Sequence, residues 1–283
     1  MTSHSNTIVV KLGGAQGVDI DPMLDDVAAM QERTSRLVLV HGGSDETNRL
    51  QERLGTPAQF LTSPSGQQSR RTDRETLEVF AMATALVNRR IVEGLQARDV
   101  AALGVSGFDG RLLRARRKEA LRTVENGKVR IVRDEWTGRI EGVDTALLEH
   151  LLAAPVTPVI APLAAGHQGE MLNVDGDRAA GSFATALQAS TLIILTNVPG
   201  LMRDPEDPSS LIAHVNADQL EMAEGFAKGR MQKKVLGARE ALEGGVSRVI
   251  IADAGRDRPI RSALRGHGTV FGTPLLETRE QTT

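Results

Sequence analysis

The chain contains no cysteine and no tyrosine, and only one tryptophan and six phenylalanines among its 283 residues. Without cysteine there can be no disulfide, no thiolate nucleophile and no cysteine-ligated zinc, which fits a cytoplasmic setting. Aromatic residues at 2% leave little for base stacking, so a nucleic-acid surface is not expected. No apolar run approaches the ~18 residues needed to cross a bilayer. The opening MTSHSNT lacks the basic and apolar regions of a secretory leader, so neither membrane insertion nor export is expected. What remains is ordinary for a globular chain, 40% hydrophobic and 25% charged, and long enough for a large α/β domain or two lobes.

Net charge is only -2, but residues 111–133 carry nine Lys or Arg against two acids, a local +7 that leaves -9 for the rest. Such asymmetry is a partner signal, though a solvated basic hairpin with counter-ions would carry the same charge. Strand-like runs fall at 8–12, 37–41, 100–105, 156–163, 191–196 and 246–252, with helical spacing between them, notably over 72–97. This alternation predicts an α/β fold, an open and mostly parallel sheet sandwiched by helices. Within the basic stretch, ALRTVENGKVRIVR reads as a hairpin, because Asn126-Gly127 is a favoured turn pair and would set Glu125 opposite Lys128.

The first strand ends oddly, in TIVVKLGGAQG. Lys11 closes a buried run, and Gly13 and Gly14 then let a ligand approach the main chain. Alone the stretch also reads as a tight turn with a snorkelling lysine. A second strand ends the same way in LVLVHGGSDETN, with Gly42 and Gly43 at the turn and Ser44 or Asp45 as the N-cap of the next helix. Two glycine loops at neighbouring strand ends would converge where open α/β sheets bind ligands. Neither is a Walker A motif or a Rossmann fingerprint. Downstream, Asn173, Asp175 and Asp177 alternate before a helix of small residues, and TLIILTNVPGLM runs a buried strand into a Pro-Gly loop. Lys233 and Lys234 stand in the first turn of a helix, where cations oppose the dipole and suggest an anion to meet them.

Together these pieces resemble the amino-acid kinase family, N-acetylglutamate kinase branch, from Ile8 to about Gly272. KLGG and HGG look like its two phosphate loops, SRRTDRETLEVF its substrate arginine segment, NVDGD its Asn/Asp motif, TNVPGL its adenine-side loop and GRMQKKV its second lysine motif. The resemblance implies ATP as phosphoryl donor, with Mg2+ held by the nucleotide phosphates rather than by a protein metal site. It implies that Lys11 and Lys234 stabilise the phosphoryl group in transit and that Asp177 holds both lysines. Gly13, Gly14, Gly42 and Gly43 would donate to phosphate and substrate, while Arg70 and Asn173 would bind the substrate's carboxylate end. Thr196, Asn197, Val198, Gly200 and Met231 would line the nucleotide. A homodimer is also implied, with an acceptor lobe over 1–168 and an ATP lobe over 169–283.

Two departures narrow the resemblance. The usual Gly-Met before the second lysine is Arg230-Met231, and the usual Asn-Ala-Asp is Asp175-Gly176-Asp177. With FLTSPSGQQSRRTDR and the basic hairpin, they look like the kinases that phosphorylate 2-aminoadipate, or glutamate, on the small acidic amino-group carrier protein LysW. Arg114, Arg116, Arg117, Lys118, Arg122, Lys128 and Arg130 would then steer the carrier. Two alternatives stay open: a kinase of free N-acetylglutamate, and a nucleotide-binding sensor without phosphoryl transfer.

Overall fold

The computed structural model describes residues 5–13, 19–31, 36–64, 66, 68–125 and 127–273. The chain opens with β1 (Ser5–Leu12), α1 (Asp21–Gln31), β2 (Arg36–His41) and α2 (Ser44–Arg53). A short hairpin, β3 (Phe60–Thr62) and β4 (Gln68–Arg70), precedes the long α3 (Arg74–Gln96) and β5 (Ala102–Ser106). Next come β6 (Leu113–Arg117), the hairpin strands β7 (Ala120–Glu125) and β8 (Lys128–Arg133), and β9 (Gly138–Val143). The middle closes with α4 (Ala146–Ala153), β10 (Thr157–Ala161), β11 (Leu163–Ala165) and β12 (Met171–Asn173). The last part holds α5 (Gly176–Ala186), β13 (Ala189–Thr196), β14 (His214–Val215), α6 (Leu220–Phe226), α7 (Arg230–Glu243), β15 (Arg248–Asp253), α8 (Pro259–Leu264) and β16 (Thr269–Gly272).

Eight strands form one sheet in the order β14-β16-β15-β13-β1-β2-β10-β5. Every pairing in it is parallel except β15 with β16. The unbroken apolar run in β1 follows from its central place. Val9 faces a core shared with Phe183 and Ala180 of α5, and Val10 faces a second core shared with Met23 and Leu24 of α1 and Ile91 of α3. Both faces are covered, so neither can be polar. A second sheet, β12-β11-β6-β9, lies apart from the first, and β3-β4 and β7-β8 are separate ribbons.

The expected strands recur with shifted ends. The run 156–163 divides at Pro162, whose missing N–H cannot continue a ladder, and β11 joins the second sheet instead. The helix expected over 72–97 spans Arg74–Gln96, with the Asp73 carboxylate accepting from Thr76 N–H at 2.9 Å. Its buried stripe departs from the apolar pattern, because Ala85 and Leu86 are exposed whereas Thr84 and Asn88 are buried. Those two polar residues are satisfied internally: Thr84 Oγ1 donates to Phe80 O at 2.8 Å, and Asn88 Nδ2 donates to Val159 O at 2.9 Å. The β7-β8 ribbon pairs Glu125 with Lys128 as expected, while Asn126 lies outside the described residues.

Candidate active site

Parallel strands bring their carboxyl ends to one edge of the sheet, and the lysines and glycine loops gather there. Lys11 stands near the end of β1, between Val40 of β2 and Ile194 of β13. Asp177 follows the N-cap of α5: Asp175 accepts from the N–H groups of Asp177 and Arg178 at 3.0 and 3.1 Å, which turns the chain into the helix. Lys234 is the fifth residue of α7, so Lys233 stands in the first turn as expected but Lys234 lies just beyond it. The three side chains meet. Lys11 Nζ is 2.7 Å from Asp177 Oδ1 as an ion pair, and Lys234 Nζ donates to Asp177 Oδ2 at 2.9 Å. Lys11 and Asp177 are 7% exposed and Lys234 9%.

Burial pushes the Asp177 carboxyl up, but the charges of Lys11 and Lys234 outweigh it and hold the group well below the usual carboxylate range. Burial, and then the charge of Lys11, lowers the Lys234 ammonium. One carboxylate thus fixes two cations beside each other with one positive charge in excess. That surplus is suited to an anion richer in charge than a single carboxylate, such as a phosphate chain.

The glycine loops show why glycine stands there. A Cβ on Gly13 would sit 2.8 Å from the Leu195 carbonyl oxygen, and one on Gly43 would sit 2.4 Å from Thr84 Cγ2. Gly14 lies outside the described residues. Gly43 itself, rather than Ser44 or Asp45, is the N-cap of α2, with no side-chain cap. Ser44 and Asp45 already belong to the first turn, where the acids Asp45 and Glu46 suit the helix dipole.

His41, just before the second glycine pair, had no role assigned from sequence. It is 1% exposed and takes one tautomer: Nδ1–H donates to Gly42 O at 2.8 Å and Nε2 accepts from Asn88 Nδ2 at 3.1 Å. Burial, with the nearby Lys11 charge, lowers its pKa to about 4, so the ring is neutral and braces the loop. Its signal in the sequence was the HGG motif, but the partner on α3 was not visible there.

Arg70 lies on β4, held by α2. Its Nη1 donates to Gln51 Oε1 at 2.6 Å, its Nη2 donates to Ser44 O at 3.1 Å and to Asn48 Oδ1, and the guanidinium lies 5.2 Å from the Phe60 ring centroid. The arginine is therefore set against the helix that the second glycine loop begins. Asn173, at the end of β12, donates from Nδ2 to Thr72 Oγ1 at 3.1 Å. A link that sequence reasoning missed joins the Arg70 ribbon to α7: Lys233 Nζ donates to Gln68 O at 2.9 Å.

Thr196 ends β13, beside β1, and Asn197, Val198 and Gly200 follow it in a bend. A Cβ on Gly200 would meet Thr269 Oγ1 at 2.5 Å and Thr269 N at 2.9 Å, so this bend packs directly on β16. Met231 is in the first turn of α7. The seven basic residues assigned to a partner divide in two. Arg116 pairs with Glu141 at 2.8 Å, Arg117 with Asp134 at 3.3 Å and Arg130 with Glu125 at 3.2 Å. Arg114, Lys118, Arg122 and Lys128 have no ion pair among the described residues. No helix among them is long and apolar enough to cross a membrane.

A profile described as "Amino acid kinase family" matches residues 6–253. The chain is 51% identical over 266 residues to a protein of Deinococcus radiodurans named "[LysW]-aminoadipate kinase", covering 94% of this chain and 91% of that one. It is 48% identical to a protein of Thermus thermophilus with the same name, covering 93% and 99%. Among solved structures it superposes on N-acetylglutamate synthase of Neisseria gonorrhoeae with a TM-score of 0.76 at 26% identity, over 96% of this chain and 60% of the synthase. With a profile match across most of its length and relatives this similar over nearly all of it, the chain belongs to the amino acid kinase family.

Proposed function

We propose that this protein transfers the γ-phosphoryl group of ATP to the side-chain carboxylate of 2-aminoadipate, or of glutamate, carried on an acidic amino-group carrier protein of the LysW type. The product is an acyl phosphate in lysine- or arginine-type biosynthesis. The observation that carries the reading is the buried Lys11–Asp177–Lys234 cluster at the sheet edge. Its support for this acceptor is the printed name of the two relatives.

The chemistry asks for this arrangement. The acceptor carboxylate is already ionised at pH 7, so no general base is required. Two anions must be brought together, and positioning plus charge stabilisation supply most of the catalysis. Lys11 and Lys234 would neutralise charge on the phosphoryl oxygens, each worth ~3 kcal/mol on the scale of oxyanion-hole donors. Asp177 has both oxygens engaged by lysines and is not free to ligate a metal, which suits Mg2+ arriving on the nucleotide phosphates. Bound there, the ion would add charge neutralisation between phosphates.

The same proposal divides the chain into an acceptor lobe over 1–168 and a nucleotide lobe over 169–283, with Thr196, Asn197, Val198, Gly200 and Met231 against ATP and Arg70 and Asn173 against the acceptor. Gly13, Gly14, Gly42 and Gly43 would donate N–H bonds to phosphate oxygens and substrate. It takes the enzyme as a cytoplasmic homodimer.

The test is ADP release with ATP and, separately, carrier-borne 2-aminoadipate, carrier-borne glutamate and free N-acetylglutamate. Turnover confined to a carrier-borne acceptor is expected. Faster turnover of free N-acetylglutamate would replace this reading with the free-metabolite kinase, and no turnover of any acceptor would favour a sensor.

A further inference from the structure

The β7-β8 ribbon belongs to neither larger sheet, yet its base is tied to the acceptor side. Arg117, just before the ribbon, donates from Nε to Glu135 O at 2.7 Å and stacks 3.6 Å from the Trp136 ring centroid. Just after the ribbon, Trp136 N–H donates to Thr72 O at 2.7 Å, and Trp136 O accepts from Asn173 N–H at 3.0 Å. The third side closes when Asn173 Nδ2 donates to Thr72 Oγ1 at 3.1 Å. Thr137 bridges Asn173 as well. Thr72 and Glu135 are fully buried, with Thr72 N–H directed at the Glu135 carboxylate at 3.3 and 3.4 Å.

We propose that this three-way joint of Thr72, Trp136 and Asn173 makes the basic ribbon a lever on the acceptor site, so that carrier docking on the ribbon positions Asn173 for phosphoryl transfer. Thr72 is a positioning residue, fully buried and acting through the Asn173 amide. A ribbon serving only as an electrostatic lure would need no such joint, since charge steers from a distance. Here the chain on both sides of the ribbon is clamped, Arg117 onto Glu135 and Trp136, and Trp136 onto the arginine segment and the Asn/Asp motif. A free amino acid, having nothing to press on the ribbon, leaves the lever unused. The proposal rests on the kinase reading above.

The chain's single tryptophan lies in the joint and reports on it directly. Saturating wild-type protein with carrier bearing 2-aminoadipate should shift Trp136 emission, and unchanged emission would overturn the proposal. Thr72→Val keeps the shape but removes the acceptor for Asn173 Nδ2. It should raise KM for the carrier-borne acceptor about fivefold or more, on the scale of one buried hydrogen bond, while KM for ATP and the melting temperature change little. Thr72→Ser, which keeps the hydroxyl, should restore the wild-type acceptor KM. Equal acceptor kinetics for Thr72→Val and wild type would overturn the lever while leaving the kinase reading intact. Failure of the wild type to phosphorylate any carrier-borne acceptor would overturn both.

Discussion

Replacing Asp177 by Asn removes the one negative charge that separates two buried ammonium groups while keeping the side chain's size. Lys11 and Lys234 contact different oxygens of that carboxylate, at 2.7 and 2.9 Å. At an effective dielectric of about 20, two unit charges about 5 Å apart would repel by ~3 kcal/mol. Loss of a partner from a buried ion pair costs about 3 to 5 kcal/mol in measured cases, a large part of the 5 to 15 kcal/mol that holds a typical domain folded. The protein can escape part of this cost by deprotonating a lysine. Lys234 is already lowered by burial and by Lys11, and Asp177 is what raises it, so its pKa falls further in the variant. A neutral amine cannot stabilise the phosphoryl group, and turnover should drop by a hundredfold or more near pH 8, at ~3 kcal/mol lost. Residual activity should recover as the pH falls and the amine regains its proton. ATP binding should hold, because the loss of one proton leaves the cluster with the same net positive charge as before. Steady-state kinetics from pH 6 to 9, nucleotide titration and thermal melts would measure all three. A folded Asp177→Asn protein with more than about a tenth of wild-type turnover and a flat pH profile would refute the argument, since a hundredfold loss is what ~3 kcal/mol requires.

Arg70→Ala should raise the acceptor KM severalfold with little change for ATP, and a loss of ATP affinity instead would mean that the link from Lys233 to Gln68 O couples the two sides. Arg122→Glu with Lys128→Glu reverses two exposed cations that have no ion pair among the described residues. Carrier affinity should fall and lose much of its salt dependence between about 50 and about 300 mM, because screening acts on exposed charges; an unchanged salt slope would remove the ribbon from docking. Glu135 is fully buried, and burial pushes its carboxyl up to about 7. A raised carboxyl means that the folded state holds its proton more tightly, so the stability it contributes is complete below the unfolded value near 4.5 and is lost as pH rises to about 7. Glu135→Gln should therefore gain stability relative to wild type between pH 5 and 8, by about 1 to 3 kcal/mol after allowance for water near the carboxyl. His41, with its pKa lowered to about 4, contributes the opposite slope between 4 and 6.5, so the comparison must be made variant against wild type at each pH.

The residues of the buried Lys11–Asp177–Lys234 cluster could be picked out in the sequence because they sit near where elements begin and end. Lys11 betrays itself as a charge closing an apolar strand, and Asp177 stands at a helix start that glycine and aspartate mark, while Lys234 lies just past the first turn of α7. The parallel sheet was equally legible in its alternation of strand and helix. What the sequence concealed depends on contacts between distant segments. The buried face of α3 includes Thr84 and Asn88, residues that count as polar until their partners at Phe80 O and Val159 O are known. The break at Pro162 moved Leu163, the last residue of the expected strand, into another sheet. The basic stretch reads as uniform charge, but Arg117 is spent on Glu135 O and the Trp136 ring, and only three-dimensional pairing separates such residues from Arg122 and Lys128.

The pairing of β1 with β13 has a consequence for how the protein is made. Val9 can find Leu192 only after most of the chain has left the ribosome. Until then β1 can pair on its β2 side alone, and its other edge, bordered by Ile8, Val9 and Val10, is open to any extended segment nearby. Asp177, on α5, is made only shortly before β13, so for most of that interval Lys11 has no carboxylate to meet, and a charge at the end of an unpaired edge disfavours wrong strands. The residue proposed to meet phosphate would first serve synthesis, keeping the central seam free until its partner strand arrives.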